Sequence, residues 1–256
     1  MSGPLLGFDE AAQKLAVLVD SSVKHSVAGE VKVAVAFSGG LDSSVVAACA
    51  KRYVETVCCA AFSRGSRDET RARDAAHDLG LELVTTSITK ETVAHELAGI
   101  GLPFEPTLMD RSLWCLYSLV SKSARNAGAR VILLGQLADE LFGGYAKYEE
   151  ALRVSGEEAA MSMMGSDVEE YALRGRIRDF AACTPWVQPR LPFEGKEVVD
   201  FGLSLPVSFK IREGVRKAIL RRAALIVGVP QEVATTAKKA AQYSSGVQKL
   251  VANSPF

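Results

Sequence analysis

The sequence predicts an α/β protein in which a doubly wound parallel sheet is followed by a helical C-terminal half. Short apolar segments rich in β-branched residues alternate with helical segments, and a glycine turn joins the first of these strands to a helix. The C-terminal segments show helical spacing with no clear strand. Parallel strands need crossover connections, which are nearly always right-handed, so a doubly wound sheet is the natural architecture.

The first half of the chain supplies these elements in order. An amphipathic helix is predicted over residues 9 to 28, with Asp9 as its N-cap and Gly29 as its stop. The predicted strands are VKVAVAF, TVCCAAF, LELVTTS and RVILL. Helices are predicted between them at about 42–53, 68–79 and 89–98, and in the segment MDRSLWCLYSLVSKSARNAG. This alternation is typical of a parallel sheet covered by helices.

The second half is predicted to be helical. Residues 145 to 182 have helical spacing, three prolines hold TPWVQPRLPF extended, and further helices are expected at about 195–204, 213–227 and 231–237. No repeat or flexible linker interrupts the chain. We therefore expect one domain over residues 1–256, with an N-terminal helix (1–29), an α/β core (30–145) and a helical part (146–256).

Composition excludes several classes of function. The 256 residues carry 30 basic and 30 acidic side chains, which argues against a general attraction for nucleic acid. Six cations in KIREGVRKAILRR, residues 210 to 222, are interpreted as a solvated helix face. No apolar run is long enough to span a membrane, so a cytoplasmic protein is expected. The five cysteines form no CxxC pair and the three histidines show no ligand spacing, which argues against a zinc or iron–sulfur site.

The stretch FSGGLDSS, residues 37 to 44, has the features of a polyphosphate site. Gly39 and Gly40 allow successive N–H groups to turn inward, and the following helix adds its positive N-terminal end. The spacing differs from a Walker A loop, and no lysine follows the glycines. Asp42 would repel phosphates unless a divalent cation lay between them, although by itself it could equally be a helix N-cap.

A second loop, LLGQLADELFGGY (residues 133 to 145), places Gly135 and then Asp139 after an apolar strand. Ligands of doubly wound sheets bind at the carboxyl ends of strands, where the winding direction reverses. If RVILL lies beside the first strand at that reversal, Asp42 and Asp139 face each other over one Mg²⁺.

These motifs together resemble a known family. SGGLDSS is similar to the PP-loop of ATP pyrophosphatases, and ADELFGGY to the second signature of asparagine synthetases. RLPFEGKEVVDFGLSLP (residues 190 to 206) resembles that family's R-x-P-F-L-D segment, and GVRKAILRRAA resembles the helix after it. The resemblance covers roughly residues 30 to 250. It implies the synthetase domain of the asparagine synthetase family, with a five-stranded PP-loop, HUP-like adenine nucleotide alpha hydrolase fold.

The resemblance also implies site residues. The expected contacts to ATP are Ala36, Phe37, Ser38, Gly39, Gly40, Asp42, Ser43, Ser44, Phe62, Gly135, Gln136 and Asp139. Asp42 and Asp139 would bind Mg²⁺. The family's catalytic lysine would lie in TTAKKAAQYSSG, where Lys239 is preferred and Lys238 is a close rival. The implied reaction joins the substrate carboxylate to the α-phosphorus of ATP as an acyl adenylate, from which an amine displaces AMP.

The sequence departs from the family at two points. Ser2 stands where a glutaminase domain would begin with cysteine, so ammonia or a separate glutaminase subunit is expected to supply the amine. Gln136 replaces a glutamate, which leaves the acid and the amine undetermined. A tRNA-modifying PP-loop enzyme and a weakly catalytic nucleotide-binding scaffold stay open as alternatives, as does a homodimer.

Overall fold

The computed structural model describes residues 6–63, 66–236 and 245–254. Its main sheet has five strands in the order β3-β2-β1-β4-β5, and every neighbouring pair is parallel. The strands are β1 (Lys32–Ala36), β2 (Glu55–Ser63), β3 (Glu82–Ile88), β4 (Val131–Leu133) and β5 (Gln188–Arg190). The predicted doubly wound parallel sheet is confirmed. The predicted neighbours at the reversal, β1 and β4, pair from Val33 with Val131 onwards.

The two central elements of this sheet explain why a continuous apolar run forms a strand here. Val33, Ala34 and Val35 of β1 are completely buried, and seven consecutive residues of β2 are buried as well. Helices cover both faces of a parallel sheet, so neither face of the strand needs polar side chains.

Helices of the first half agree with the predicted segments to within three residues at each end. They are α1 (Phe8–Ser26), α2 (Leu41–Ala50), α3 (Arg67–Asp78), α4 (Lys90–Ala98) and α5 (Leu108–Asn126). Local signals place their starts: the hydroxyls of Ser66, Thr89 and Thr107 accept hydrogen bonds from first-turn backbone N–H groups of α3, α4 and α5.

The second half is helical, as predicted, although it is more finely divided. The elements are α6 (Ala138–Phe142), α7 (Ala146–Ser155), α8 (Glu157–Glu170), a π-helical turn (Tyr171–Gly175), α9 (Arg176–Cys183), a 3₁₀ turn (Pro192–Glu194), α10 (Lys196–Ser204), α11 (Val207–Lys210), α12 (Ala218–Ile226), α13 (Gln231–Thr235) and α14 (Val247–Ala252).

The proline-rich segment, predicted to be extended, forms β5, the fifth strand of the sheet. It tolerates Pro189 because it is an edge strand paired with β4 alone. One expectation for this half, a helix over 213–227 with no strand, is wrong. The helix predicted over 213–227 begins only at Ala218, because residues 211–216 form a hairpin of β6 (Ile211–Arg212) and β7 (Val215–Arg216). Positive φ angles at Glu213 and Gly214 form its turn and are incompatible with a helix.

One hydrophobic core joins the sheet to the C-terminal helices. Leu15 of α1, Val35 of β1 and Leu220 of α12 belong to the same buried cluster, and α1 packs against α2, α10 and α12. Across the described residues, no helix combines the length and apolar character needed to cross a membrane.

Candidate active site

The loops that follow β1 and β4 touch each other at the reversal of the sheet. A side chain added at Gly135 would bring its Cβ to 3.1 Å from the Ser43 nitrogen and 3.2 Å from the Asp42 Cβ. Such contacts are tighter than ordinary van der Waals packing. Glycine at this position therefore lets the second loop lie directly against the aspartate of the first.

The first loop depends on glycine for a similar reason. Gly39 has a φ of +67°, and a Cβ there would lie 2.7 Å from the backbone Cα of Ala72 in α3. Inside the loop, the Gly40 N–H donates to the Ser38 hydroxyl, and the Ser43 hydroxyl donates to the Gly40 carbonyl. The resulting tight turn opens α2, whose N-terminal N–H groups favour an anion.

Asp42 and Asp139 converge on one cation, Lys217. The Lys217 Nζ lies 2.6 Å from both carboxylate oxygens of Asp42 and 2.7 Å from Oδ1 of Asp139. Lys217 is 2% exposed. Burial by itself lowers the pKa of Lys217, but Asp139 and Asp42 outweigh that effect and hold the pKa above its ordinary value. The ammonium is therefore charged at neutral pH.

Lys217 was not among the residues that the sequence singled out. It lies in the run of six cations interpreted as a solvated helix face, and that interpretation is wrong for Lys210 and Lys217, which are 0% and 2% exposed. The resemblance of GVRKAILRRAA to the family was the available signal. It placed a helix here without assigning a role to its lysine.

Local backbone geometry brings Lys217 into the cleft. The β6–β7 hairpin ends one residue before it, and Lys217 takes a left-handed conformation (φ +57°) at the start of α12. Behind it, a Cβ on Gly144 would lie 2.4 Å from the Lys217 Cε and 1.6 Å from the Asp139 Oδ1. Gly144, the second glycine of the ADELFGGY segment, thus leaves room for the ion pair.

This donor set fits a magnesium ion carried by a polyphosphate. Mg²⁺ takes one or two protein carboxylates and completes its octahedron with phosphate oxygens and water. Two carboxylates already surround a positive charge here, the Lys217 ammonium, beside a loop suited to phosphates. No group of three or more histidine, cysteine, aspartate or glutamate side chains gathers within the described ranges, so a metal bound wholly by such protein ligands finds no support there.

A buried polar network lies beside Gln136. The Gln136 amide donates to Oδ2 of Asp179 at 2.9 Å, and the Tyr171 hydroxyl donates to the same oxygen at 2.9 Å. Arg178 Nε donates to the other oxygen of Asp179 at 2.8 Å, and Arg178 also reaches Asp110 at 3.1 Å. Asp179 is 0% exposed. Its carboxylate is satisfied from three directions, which fixes Gln136 in one orientation.

The network continues to the start of α5. Burial alone raises the pKa of Asp110, but hydrogen bonds from Arg174, Thr107 and Arg178 outweigh it and lower that pKa to about 2. Tyr171 and Arg174 belong to the π-helical turn, an irregularity often found at functional sites. No local sequence pattern predicts this network, because nothing in the sequence marks residues 110, 171, 174 and 178 as neighbours.

Glu140 has a different environment. It is buried, and the Tyr145 hydroxyl donates to its Oε1 at 2.7 Å. Burial and the neighbouring charge of Asp139 raise the pKa of Glu140 to about 7. The acidic pair of ADELFGGY is thereby divided: Asp139 faces the ammonium, and Glu140 faces a tyrosine.

These groups line one cleft of about 670 Å³. Apolar side chains from α5 and the end of β2 line part of it, including Leu113, Leu116 and Phe62. The predicted contacts that line it are Ala36, Phe37, Ser38, Gly39, Gly40, Asp42, Ser43, Phe62, Gly135, Gln136 and Asp139. Ser44 does not: it is completely buried in α2, below the loop. A cleft of this size suits a nucleotide with a small second substrate.

Lys238 and Lys239 lie outside the described residues. The residues that flank their segment, Thr236 and Ser245, both line the cleft. Arg221 donates to the Ala234 and Thr236 carbonyls, at 2.5 and 3.0 Å, and so fixes the chain where that segment begins.

Comparison with known proteins identifies the class to which this fold and site belong. The family model for asparagine synthase matches residues 14–188 and 186–254, which is most of the chain. The chain therefore belongs to the asparagine synthase family.

Curated relatives agree with this assignment. The chain is 32% identical over 278 residues to a putative glutamine-hydrolyzing asparagine synthetase of Methanocaldococcus jannaschii, which covers 95% of this chain and 51% of the relative. It is 24% identical to asparagine synthetase B of Escherichia coli, covering 90% of this chain and 44% of the relative. The chain thus spans about half the length of the relatives it matches. Among solved structures, an NMN synthetase from Francisella tularensis aligns with a TM-score of 0.49 at 14% identity, covering 98% of this chain and 89% of that one.

Proposed function

We propose that this chain is an ATP-dependent, AMP-forming carbon–nitrogen ligase that activates a carboxylic acid as an acyl adenylate and passes the acyl group to ammonia or another amine. The observation that carries the proposal is the convergence of Asp42 and Asp139, from loops after adjacent strands, beside a glycine-rich turn. Family membership supports the same chemistry, and the names of the relatives suggest aspartate as the first acid to test.

The cleft offers a place for each part of the nucleotide. Apolar walls from Leu113, Leu116 and Phe62 would hold the adenine, and N–H groups of the Ser38–Gly40 turn would face the phosphates. Asp42 and Asp139 would hold Mg²⁺. When bound, the ion would supply charge neutralisation for the departing pyrophosphate.

The reaction would proceed in two displacements. A carboxylate oxygen of the acid attacks the α-phosphorus, an oxygen–phosphorus bond forms, and the bond to the β-phosphate oxygen breaks. The amine nitrogen then attacks the acyl carbon, loses a proton, and AMP leaves with the electron pair of the broken carbon–oxygen bond. The chain's contribution would be to hold these atoms in line and to neutralise charge as it develops.

We place the acid near Gln136 and Arg174, beside the Asp179 network. The Arg174 side chain is 34% exposed and lines the cleft, so its guanidinium can reach a substrate carboxylate while it also holds Asp110. Replacing Arg174 with Met should raise the KM for the acid far more than the KM for ATP. Equal changes in both constants would contradict this placement.

Pyrophosphate exchange into ATP tests the activation step directly. We expect exchange with one member of a panel of carboxylic acids, aspartate included, and product formation only when ammonia is added. Asp42→Asn and Asp139→Asn should each reduce exchange by more than about 100-fold, while Asp200→Asn, an exposed aspartate on α10, should not. Full exchange in Asp42→Asn or Asp139→Asn would contradict the metal assignment. A wild-type protein that binds ATP without any exchange would favour the scaffold alternative.

The late lysine is tested separately. We expect Lys239→Ala to lose more exchange activity than Lys238→Ala, because the resemblance favours Lys239. The opposite ranking would assign the role to Lys238. The amine donor is proposed to be ammonia, free or delivered by a separate glutaminase subunit, and the setting cytoplasmic.

A further inference from the structure

We propose that Lys217 occupies the cation position between Asp42 and Asp139 until nucleotide arrives, so that a divalent metal enters this site only together with a polyphosphate. The inference rests on the proposed ATP-dependent function and adds an order of binding to it. It also makes Lys217 a positioning residue that keeps the two carboxylates together before nucleotide binds.

The geometry of the ion pair holds the two carboxylates at a fixed separation. One ammonium lies within 2.7 Å of oxygens from both aspartates, and its side chain is 3% exposed. The aspartates come from separate loops, 97 positions apart in the chain, and Asp42 lies 175 positions from Lys217. A hydrogen-bonded ion pair of this kind sets the separation of the carboxylates before any ligand is bound.

The charges of this ion pair oppose the entry of free metal. Two carboxylates with one ammonium leave a net charge of about −1, and a divalent cation added to the same pair would face the ammonium at contact distance. Like charges this close repel strongly in a site screened from water. Free metal must therefore displace Lys217 without compensation, and the displaced ammonium would lose both partners.

A polyphosphate changes this balance. Lys217 itself lines the cleft beside the glycine turn, so phosphates bound there would offer its three N–H donors new acceptors. The lysine stem is flexible and can swing its ammonium over a few ångströms without moving the backbone. The Gly144 backbone packs closely against the Lys217 stem, since a Cβ there would lie 2.4 Å from the Lys217 Cε. Lys217 would thus exchange carboxylates for phosphates as the metal–nucleotide complex enters.

The test measures protein-bound Mn²⁺ by equilibrium dialysis, with and without α,β-methylene ATP on both sides of the membrane. We expect the wild-type protein to bind Mn²⁺ weakly alone, and one Mn²⁺ per chain when the analogue is present. Lys217→Met should bind Mn²⁺ without nucleotide at least about tenfold more tightly than the wild type, since the competing charge is gone. That gain should vanish in Lys217→Met/Asp139→Asn.

Arg222→Met is the matched control, because Arg222 lies on the same helix but pairs at the surface with Asp9. It should leave Mn²⁺ binding as in the wild type. The proposal would be overturned if the wild type bound Mn²⁺ tightly without nucleotide and Asp139→Asn removed that binding. This measurement does not require Lys217→Met to fold. A folded Lys217→Met protein with no gain would overturn it as well. Failure of the wild type to bind Mn²⁺ even with the analogue would instead overturn the ATP–magnesium function itself.

Discussion

At the scale of single residues, Asp42 shows how a neighbour decides the role of a side chain. By position it is a first-turn acid of α2, which stabilises the N-terminus of many helices. In the fold it also lies against Gly135 and forms an ion pair with Lys217. The same carboxylate is then a candidate metal ligand, and the distinction comes from residues far away in the chain.

Gln136 is explained at this scale as well. Its amide donates to Asp179, which is fully buried. A glutamate in its place would set two carboxylates against each other, and one of them would have to take up a proton or leave the contact. The amide therefore gives Asp179 a hydrogen-bond donor where a carboxylate would repel it.

We predict that Gln136→Glu lowers the free energy of unfolding by about 2 kcal/mol at pH 8 and by less at pH 5. The sign follows because Asp179 would raise the pKa of the carboxyl introduced at position 136 in the folded variant. The loss of stability therefore grows as the pH rises above the pKa that this carboxyl has in the unfolded chain. Urea unfolding at the two pH values measures it. Gln13→Glu, at an exposed position of α1, serves as the control, and an equal effect in both variants would refute the explanation.

Lys210 presents the opposite case, a buried cation that forms no ion pair with any described residue. It is 0% exposed, its Nζ has no hydrogen-bond partner within the described part of the chain, and burial lowers its pKa to about 8. The unfolded pKa is 10.5, so the folded state carries a penalty that is complete below pH 8 and is relieved as pH rises towards 10.5.

Lys210→Met should therefore stabilise the protein, by about 1 to 3 kcal/mol at pH 7, with a smaller gain at pH 10. Methionine keeps most of the volume and removes the charge. Thermal unfolding at both pH values provides the measurement, with Lys249→Met at an exposed position of α14 as the control. A loss of stability at pH 7 would show that Lys210 has a partner or a role beyond packing.

At the scale of elements, the start of α5 combines a helix cap with the polar network. Asp110 accepts from the Thr107 backbone N–H and hydroxyl, and in return the Thr107 hydroxyl accepts from the Asp110 backbone N–H. Arg174 and Arg178 reach the same carboxylate from the π-helical turn and from α9. The cap therefore joins α5 to the elements that orient Gln136.

The lowered pKa of Asp110 makes this contribution dependent on pH. With a folded pKa of about 2 against 3.8 unfolded, the carboxylate stabilises the protein above pH 4, by about 2 kcal/mol, and this is lost as pH falls towards 2. Asp110→Asn should cost at least that much at pH 6, and less at pH 3. Denaturant unfolding measures both differences. Asp74→Asn, at an exposed position of α3, is the control, and a pH-independent difference for Asp110→Asn would contradict the assignment.

At the scale of the whole molecule, α1 links the α/β core to the C-terminal helices. Leu15 is completely buried in the cluster that also contains β1 and α12. The sequence-based expectation of one domain stays a prediction, and this shared core is the reason to expect the two halves to unfold together.

Calorimetry should show a single transition whose van't Hoff and calorimetric enthalpies agree. Leu15→Ala should shift that whole transition downwards, at a cost of about 2 to 5 kcal/mol, because it opens a cavity between the halves. Val17→Ala, on the exposed face of the same helix, should have little effect. Two transitions, with Leu15→Ala moving one of them alone, would divide the chain into independent units.

The sequence by itself determined the alternation of strands and helices and the two glycine–aspartate loops. Those features are local: β-branched runs favour buried strands, and Gly39 with Gly40 marks a tight turn whatever the rest of the chain does. Once β1 and β4 were expected side by side, the meeting of Asp42 and Asp139 followed from the geometry of parallel strands.

Only the tertiary structure decided which cation meets those aspartates and what holds Gln136. In the sequence, nothing distinguishes Lys217 from a surface lysine. The β6–β7 hairpin and the left-handed backbone at Lys217 direct its side chain into the cleft, where it meets Asp42, 175 positions away in the chain. Asp179 and Asp110 acquired their partners in the same way, through packing of α5, α9 and the π-helical turn. Such contacts depend on long-range burial, which determines whether a charge is solvated or paired, and no local pattern records that choice.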